Sequence, residues 1–126
     1  MNETPVIEEN KKKQATKCTG AHIRAVRDAY NAIYGKWKLH IIASLFFGKK
    51  HFNKLESEIP KITPRMLSKE LKDLEANGII ERTVCDAGLV KVEYELTESG
   101  RSLKKVMEVM AEWGLKHREI TIGEKE

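Results

Sequence analysis

The sequence predicts a mainly helical fold that carries one small β-hairpin. Three observations support this fold class. The stretch from Thr63 to Gly78 has helix signals at both ends, a shorter helical stretch precedes it across a brief turn, and an alternating apolar pattern follows it. Two helices joined by a short turn, with a hairpin directly after the second, form the arrangement called a winged helix-turn-helix.

The 126 residues are enough for one domain with tails. We expect a flexible N-terminal tail over residues 1–19, because this stretch has few large apolar side chains. The winged helix-turn-helix domain, with its dimerisation helices, should occupy 20–117, and a C-terminal tail 118–126. No apolar run is long enough for a membrane span or a secretory signal, so we expect a cytoplasmic protein with no membrane partner.

Periodic apolar positions predict three helices before Thr63, over residues 21–34, 36–47 and 51–59. Gly35 and Gly48 end the first two. The third ends at Ile59, because the residue before a proline is steered out of helical geometry. The second helix is apolar over most of its circumference, which indicates burial on more than one side.

The next helix carries its own start and stop signals. Thr63 can act as the N-cap, and Pro64 follows at the first helical position, where its missing N–H costs nothing. Asn77 and Gly78 end the helix, because glycine tolerates a left-handed conformation. One side of the helix is an apolar stripe of Leu67, Leu71 and Leu74. The opposite side is a row of cations with a hydroxyl at its edge: Arg65, Lys69, Lys72 and Ser68.

After Gly78 the period changes from helical to alternating. A first strand near 80–85 and a clearer second strand over 90–96 are separated by turn residues at 86–88, so 79–96 should form a hairpin wing. Thr97 then caps a last helix that runs to about Lys116. Its apolar stripe is wider than one small domain needs, which indicates a partner surface. The alternative is that both terminal helices only complete the core. The candidate dimerisation residues are Ile23, Val26, Tyr30, Val106, Val109, Met110 and Trp113.

Four segments of the chain resemble the HxlR-type winged helix-turn-helix regulators of prokaryotes, which are related to the MarR group. The segments are GKWK at 35–38, FNKL at 52–55, ITPRML at 62–67 and VEYELTESGR at 92–101, and EWG at 112–114 also fits. The resemblance implies a homodimer held by the first and last helices, with two recognition helices entering double-stranded DNA. It also implies no enzyme activity, no cofactor and no obligatory metal.

The chain departs from this family at one sensing position. Many members carry a redox-active cysteine near the start of the first helix, and the aligned residue here is Arg24. Cys18 lies upstream of that register, and Cys85 lies in the hairpin. Two cysteines in a reducing compartment are expected to be free thiols.

We predict that the recognition helix, 63–77, lies in the major groove, with Arg65 and Lys69 at base edges. Backbone phosphates should be held by other polar side chains of the helix-turn-helix, and flanking DNA by two cations of the wing. The full predicted set is Thr63, Arg65, Ser68, Lys69, Lys72, Lys36, His51, Asn53, Arg82 and Lys91.

Other chemistry has little support. The four histidines and two cysteines have no metal-chelating spacing, and no glycine-rich phosphate loop occurs, so we expect neither a metal site nor an enzyme. Two alternatives stay open: a thiol-based redox-responsive regulator acting through Cys18 or Cys85, and a winged helix used as a protein-interaction module. The second would not need the cationic row. The operator, the sign of regulation and any small-molecule effector are not determined by the sequence.

Overall fold

The computed structural model describes residues 20–86 and 90–122, together with their side chains except those of residues 85, 86 and 90. The predicted N-terminal tail over 1–19 and most of the predicted hairpin turn lie outside the described residues. The chain forms two compact units, one ending at Tyr34 and the other starting at Gly35.

The first unit contains helix α1, Ala21–Ile33. It ends one residue before the predicted end because Tyr34 has an extended backbone, with ψ of 146°. Three predicted dimerisation residues, Ile23, Val26 and Tyr30, are exposed on this helix. The Tyr30 and Tyr34 rings lie 5.7 Å apart between centroids. An apolar face on α1 is therefore present, as its spacing predicted.

The described part of the second unit contains four helices and a small sheet. In chain order its elements are α2 (Lys38–Leu45), β1 (Lys50–His51), α3 (Phe52–Glu58), α4 (Pro64–Ala76), β2 (Ile80–Asp86), β3 (Val90–Leu96) and α5 (Glu98–Thr121). The three strands pair antiparallel in the order β1-β3-β2. The predicted class, mainly helical with a small β-hairpin in a winged helix-turn-helix, is confirmed, and the sheet has one strand more than the hairpin.

That extra strand corrects the prediction for residue 51. His51 was expected in the third helix, but it belongs to β1 and pairs with Glu93, while Lys50 pairs with Tyr94. A strand of two residues is too short to show a period of two, and its partner lies far away in the sequence. Helix α3 therefore starts at Phe52, directly after the strand.

Helix α2 is shorter than predicted at both ends. Trp37 is its N-cap, so Lys36 precedes the helix. At the other end the Phe47 amide donates to the Ser44 carbonyl at 3.4 Å, a shorter-range bond that tightens the last turn and ends the helix before Phe46. Apolar residues continue past both ends of the helix, at Trp37 and at Phe46 and Phe47. The sequence pattern therefore predicted a helix that was too long.

Helix α5 is longer than predicted. It runs to Thr121 instead of about Lys116, so the boundary expected between residues 117 and 118 falls inside a helix. Residues 115–119 are mostly good helix formers, and a single glycine at 114 costs only about 1 kcal/mol relative to alanine. The polar composition of this segment reflects an exposed helix.

The core of the second unit lies beneath α4. Its leucine stripe is buried as predicted, with Leu67 and Leu74 fully inaccessible and Leu71 nearly so. The other fully buried side chains are Ile41, Ile42, Leu55 and Ile80. Full burial of one such side chain contributes about 1.5–3 kcal/mol, so this stripe fixes which side of α4 faces inward.

The end of the wing and the start of α5 meet at a close junction. The Thr97 amide donates to the Ile79 carbonyl at 3.0 Å, and the Thr97 hydroxyl donates to the Gly78 carbonyl at 2.6 Å. The same hydroxyl accepts from the Gly100 amide at 3.1 Å, so Thr97 is the predicted N-cap of α5. A Cβ at Gly100 would lie 2.2 Å from the Ile79 carbonyl oxygen, which leaves no room for a side chain there.

We expect Gly100→Ala to lower the free energy of unfolding by about 2 kcal/mol, because the added methyl group clashes with the backbone at Ile79. Gly114→Ala is the matched control: it makes the same change in the same helix, with no atom within 4 Å of the new Cβ. That variant should be unchanged or more stable by about 0.5–1 kcal/mol. Urea denaturation followed by circular dichroism tests both, and equal stabilities would contradict the predicted clash.

Candidate nucleic-acid interface

Helix α4 has the caps that its sequence predicted. The Thr63 hydroxyl accepts a hydrogen bond from the Met66 amide at 3.2 Å, and Pro64 takes the first helical position. At the other end the Asn77 side-chain amide donates to the Asp73 carbonyl at 2.9 Å, and Gly78 has φ of +73°. The Thr63 side chain therefore fixes the start of the helix.

The cationic row lies on the side of α4 opposite the buried leucines. Arg65, Lys69 and Lys72 are exposed, and Ser68 at the edge of the row is partly exposed. Within the described part of the chain, no carboxylate forms an ion pair with any of these three cations. The row is therefore a positive surface without ion-pair partners in this part of the chain, which favours binding to a polyanion.

The hairpin adds a cation beside this row. A cavity of about 250 Å³ lies between α4 and the sheet, and its polar lining includes Ser68, Lys72 and Glu75 from the helix and Arg82 from β2. Arg82 pairs with Tyr94 near the base of the hairpin. Arg82 thus lies next to the recognition helix, whereas the sequence had suggested only that it lies on the wing.

A second cavity, of about 390 Å³, brings together three more predicted residues. His51, Asn53 and Lys91 line it, with Lys54 and the apolar side chains of Phe52 and Val92. Lys54 was missed by the sequence argument, although it follows Asn53 directly in the first turn of α3. We call His51, Asn53, Lys54 and Lys91 the α3–wing cluster.

His51 is held in the α3–wing cluster by its neighbours on β3. Its Nδ1 lies 3.4 Å from the Val92 carbonyl oxygen, and its Nε2 lies 3.9 Å from Glu93 Oε2. The ring is nearly half exposed. Both ring nitrogens therefore have a neighbouring oxygen on β3, the strand with which His51 pairs, and these contacts orient the imidazole.

Lys36 belongs neither to the cationic row of α4 nor to the α3–wing cluster. Its side chain is exposed, and its ammonium group lies 4.9 Å from the centre of the Trp37 ring, just before α2. It lines neither cavity. Its predicted phosphate contact therefore stays a prediction without support from a neighbouring cation.

An ion pair that the sequence argument missed joins α2 to the recognition helix. Lys38 Nζ lies 2.8 Å from Glu70 Oε1 and 3.4 Å from Asp73 Oδ2. The side chains of Lys38 and Glu70 are only 9% and 11% exposed, whereas that of Asp73 is 47% exposed. No sequence signal linked residues 38 and 70, because they lie on different helices and neither follows the apolar period.

The environment of Lys38 favours its charged form. Burial acts to lower the pKa of Lys38, but the hydrogen bonds and charges of Glu70 and Asp73 outweigh it and raise the pKa above its ordinary value of 10.5. A pKa that is raised in the folded state stabilises the fold fully below pH 10.5, and this contribution is lost as the pH rises through the folded-state pKa. Near neutral pH the Lys38 ammonium is therefore charged.

A second polar network holds α3 against its neighbours. The Ser44 hydroxyl donates to Glu58 Oε1 at 2.7 Å, and the Lys50 ammonium donates to Ser44 at 3.0 Å and also to Glu58. These hydrogen bonds, from Lys50 first and then from Ser44, lower the pKa of the Glu58 carboxyl. The network joins α2 and β1 to the C-terminal end of α3.

The predicted dimerisation residues of α5 are uncovered in the single chain. Val106, Val109, Met110 and Trp113 are exposed, Trp113 to 66%. The Trp113 ring stacks on His117, with the centroids 4.6 Å apart. This apolar side of α5 has no covering element among the described residues.

The described ranges contain neither a metal-binding cluster nor a membrane-spanning helix. Among residues 20–84 and 91–122, no group of three or more His, Cys, Asp or Glu side chains is placed to hold a metal ion. Over the same part of the chain, no helix is both long and apolar enough to cross a membrane. The side chains of the two cysteines fall outside the described set.

Comparison with known proteins gives consistent matches over most of the chain. The model of a family described as HxlR-like helix-turn-helix matches residues 32–121. An HTH-type transcriptional regulator of Bacillus subtilis (strain 168), YtcD, is 42% identical over 93 residues, covering 74% of each chain. Two solved relatives are the redox regulator HypR in its reduced form and the reduced form of YodB from B. subtilis. HypR is 42% identical with a TM-score of 0.70 and covers 76% of this chain and 95% of its own. YodB is 35% identical with a TM-score of 0.69, and the match covers 77% of this chain and 92% of the YodB chain.

Proposed function

The chain belongs to the HxlR-like helix-turn-helix family and is a transcriptional regulator of that type, and from this premise we propose which of its surfaces bind DNA. The single observation that carries the proposal is the row of Arg65, Lys69 and Lys72, exposed on α4 with no ion-pair partner in the described part of the chain. Helix-turn-helix regulators place such a helix in the major groove. From the family we also propose that the DNA is a prokaryotic chromosome and that the protein acts in the cytoplasm.

We assign base reading to the first half of α4. Arg65 lies in the first turn, and Lys69 lies one turn later on the same side. The N-terminal part of a recognition helix is the part that contacts base edges. A guanidinium group can donate two hydrogen bonds to one guanine, so Arg65 is the proposed specificity contact.

We assign phosphate contacts to the side chains that flank this row. Ser68, Lys72 and Arg82 adjoin one cavity beside α4, and the α3–wing cluster adjoins another. Phosphate contacts fix the register of a protein on the duplex and make binding salt-dependent. The Thr63 hydroxyl caps α4, and its neighbouring backbone amides are the part of the helix best placed for a phosphate.

The cationic row also favours DNA over a protein partner. A winged helix used only to bind proteins would keep the buried leucine stripe but would gain nothing from unpaired cations on the outer side. Protein interfaces are depleted in lysine at their cores, whereas nucleic-acid interfaces are strongly positive. The interaction-module alternative is therefore the weaker one.

We propose that the protein acts as a homodimer. The exposed apolar residues on α1 and on α5 are the proposed contacts, each helix presenting its own apolar side. A contiguous exposed apolar surface is a liability for a monomer and is typical of an interface. A two-fold dimer would carry two recognition helices and would read a site with two half-sites about one helical turn of DNA apart.

We expect Arg65→Ala to reduce sequence discrimination, because one good bidentate contact contributes about 1–3 kcal/mol of preference for the correct base. The measurement is the affinity for a duplex that the wild-type protein selects from a random library, compared with the affinity for unselected random duplex, over a series of salt concentrations. Lys91→Ala, which removes a proposed phosphate contact, should weaken both by the same factor and lower the salt slope by about one.

Lys104→Ala on α5 is the control for loss of charge alone, and it should change neither affinity. If Arg65→Ala instead weakens selected and random duplexes equally, Arg65 is only a phosphate contact. If neither Arg65→Ala nor Lys91→Ala alters binding, α4 and the wing are not the DNA surface.

We expect the double variant Met110→Glu/Trp113→Glu to be monomeric, because it places two charges on the exposed apolar side of α5. Sedimentation at micromolar concentration, with circular dichroism as a check on folding, measures this. Lys104→Glu, on the other side of the same helix, should leave the association unchanged. A wild-type protein that sediments as a monomer while binding DNA would exclude the dimer.

A second candidate function, control of DNA binding by thiol oxidation, is favoured by the solved relatives. HypR is described as a redox regulator and is known in a reduced and an oxidised form. By the family resemblance, counted back from the segment at 35–37, the sensing position falls at Arg24 in this chain, and Cys18 lies outside the described residues. We therefore keep the redox response as the less supported candidate.

We expect the variant Cys18→Ser/Cys85→Ser to bind the selected duplex as the wild type does, with and without the thiol oxidant diamide. The reason is that neither cysteine occupies the aligned sensing position. Gel-shift titration under both conditions is the measurement. If diamide abolishes binding by the wild type but not by the variant, the redox function is correct and our expectation is wrong.

A further inference from the structure

We propose that Lys38 and Glu70 are specificity-determining positioning residues: they fix the rotation of α4 about its own axis, and so decide which bases its side chains reach, without contacting DNA. The inference rests on the proposed function, since it requires that α4 reads base edges. The observation that carries it is the buried contact of 2.8 Å between Lys38 Nζ and Glu70 Oε1, which joins two different helices.

Glu70 lies on one flank of α4, so its contact with Lys38 can control rotation of the helix about its axis. At about 100° per residue, Glu70 lies roughly 60° from Leu67 around the helix, and Asp73 roughly 120° on the same flank. Ser68 and Glu75 lie on the opposite flank, beside the cavity that Arg82 also lines. The helix is therefore buried along its leucine stripe and held on the Glu70 flank by Lys38.

The leucine stripe alone sets the rotation of α4 only coarsely. Apolar burial is non-directional, and cores accept altered packing when their volume is kept. A charge-assisted hydrogen bond is short and directional, and it fixes one atom against another. The backbone that carries Lys38 is itself held in place, because the next turn of α2 contains Ile41 and Ile42, both completely buried.

Small rotations matter at the DNA surface. With side chains extending about 5–6 Å from the helix axis, a rotation of 10° moves their outer atoms by about 1 Å. Productive contacts in binding sites require placement within about 0.5 Å. A change in the ion pair can therefore alter base reading by Arg65 and Lys69 while the fold and the phosphate contacts persist.

A purely structural role makes a different prediction. Buried ion pairs can often be replaced by apolar side chains of similar size without loss of stability. The double variant Lys38→Met/Glu70→Met keeps the net charge and removes the directional contact. If the pair only stabilises the fold, this variant should select the same DNA sequence as the wild type.

The experiment is selection of binding duplexes from a random library, carried out with wild type and with Lys38→Met/Glu70→Met. We expect the variant to melt cooperatively and to bind unselected duplex within about twofold of the wild type. Its preference for the wild-type duplex should fall about tenfold, and its own selected sequence should differ at the positions that α4 reads. An unchanged selected sequence and an unchanged preference would overturn the inference.

A matched control makes the same two substitutions at another ion pair. Lys50→Met/Glu58→Met removes a contact between β1 and α3 that involves no residue of α4, and it should leave the selected sequence unchanged. A changed sequence in this control would also overturn the inference, because any lost ion pair would then have the same effect.

If the double methionine variant does not fold, Glu70→Asp gives the same readout. It keeps the charge and withdraws the carboxylate by one methylene, so α4 must rotate or the contact must lengthen. A folded Glu70→Asp protein with wild-type preference would count against the inference. The proposed function fails separately, at the first step, if the wild-type protein enriches no sequence.

Discussion

The burial of one leucine stripe on α4 governs where the functional side chains lie. Once Leu67, Leu71 and Leu74 face the core, helical geometry sends Arg65, Lys69 and Lys72 to the outside, and it places Glu70 at the flank where Lys38 meets it. The caps at Thr63 and Asn77 then fix the length of the helix that carries this arrangement. Apolar burial supplies the energy, and the polar contacts at the ends and on the flank supply the geometry.

The distribution of charge explains how a net charge of +4 can produce a strongly positive surface. Several carboxylates are engaged by lysines within the fold: Glu70 and Asp73 by Lys38, and Glu58 by Lys50. In the described part of the chain the cations of α4 have no such partner. Binding to DNA is therefore expected to depend on salt more strongly than the net charge implies, because salt screens the exposed cations and scarcely affects the buried pair.

The sequence predicted what depends on local signals. The caps of α4 and α5, the leucine stripe and the hairpin follow from turn chemistry and apolar period, and the structure has all of them. Strand β1, the pair of Lys38 with Glu70 and the place of Lys54 beside Lys91 were missed, because each joins residues distant in the sequence without a periodic signal. The end of α5 was placed too early because an exposed helix is as polar as a tail. The assignments of base and phosphate contacts are not tested by the fold.

Strand β1 has a consequence for how the protein reaches its folded state. Lys50 pairs with Tyr94, and His51 pairs with Glu93. These two pairings close a loop of about forty residues that contains α3, α4 and β2. Contacts this distant in sequence form late and slow the folding of small domains. The helix-turn-helix is thus enclosed by the last strand to be synthesised before α5. A nascent or truncated chain that ends before β3 would lack this closure, so the capacity to bind operators should arise in one cooperative step, after the ribosome has released the wing.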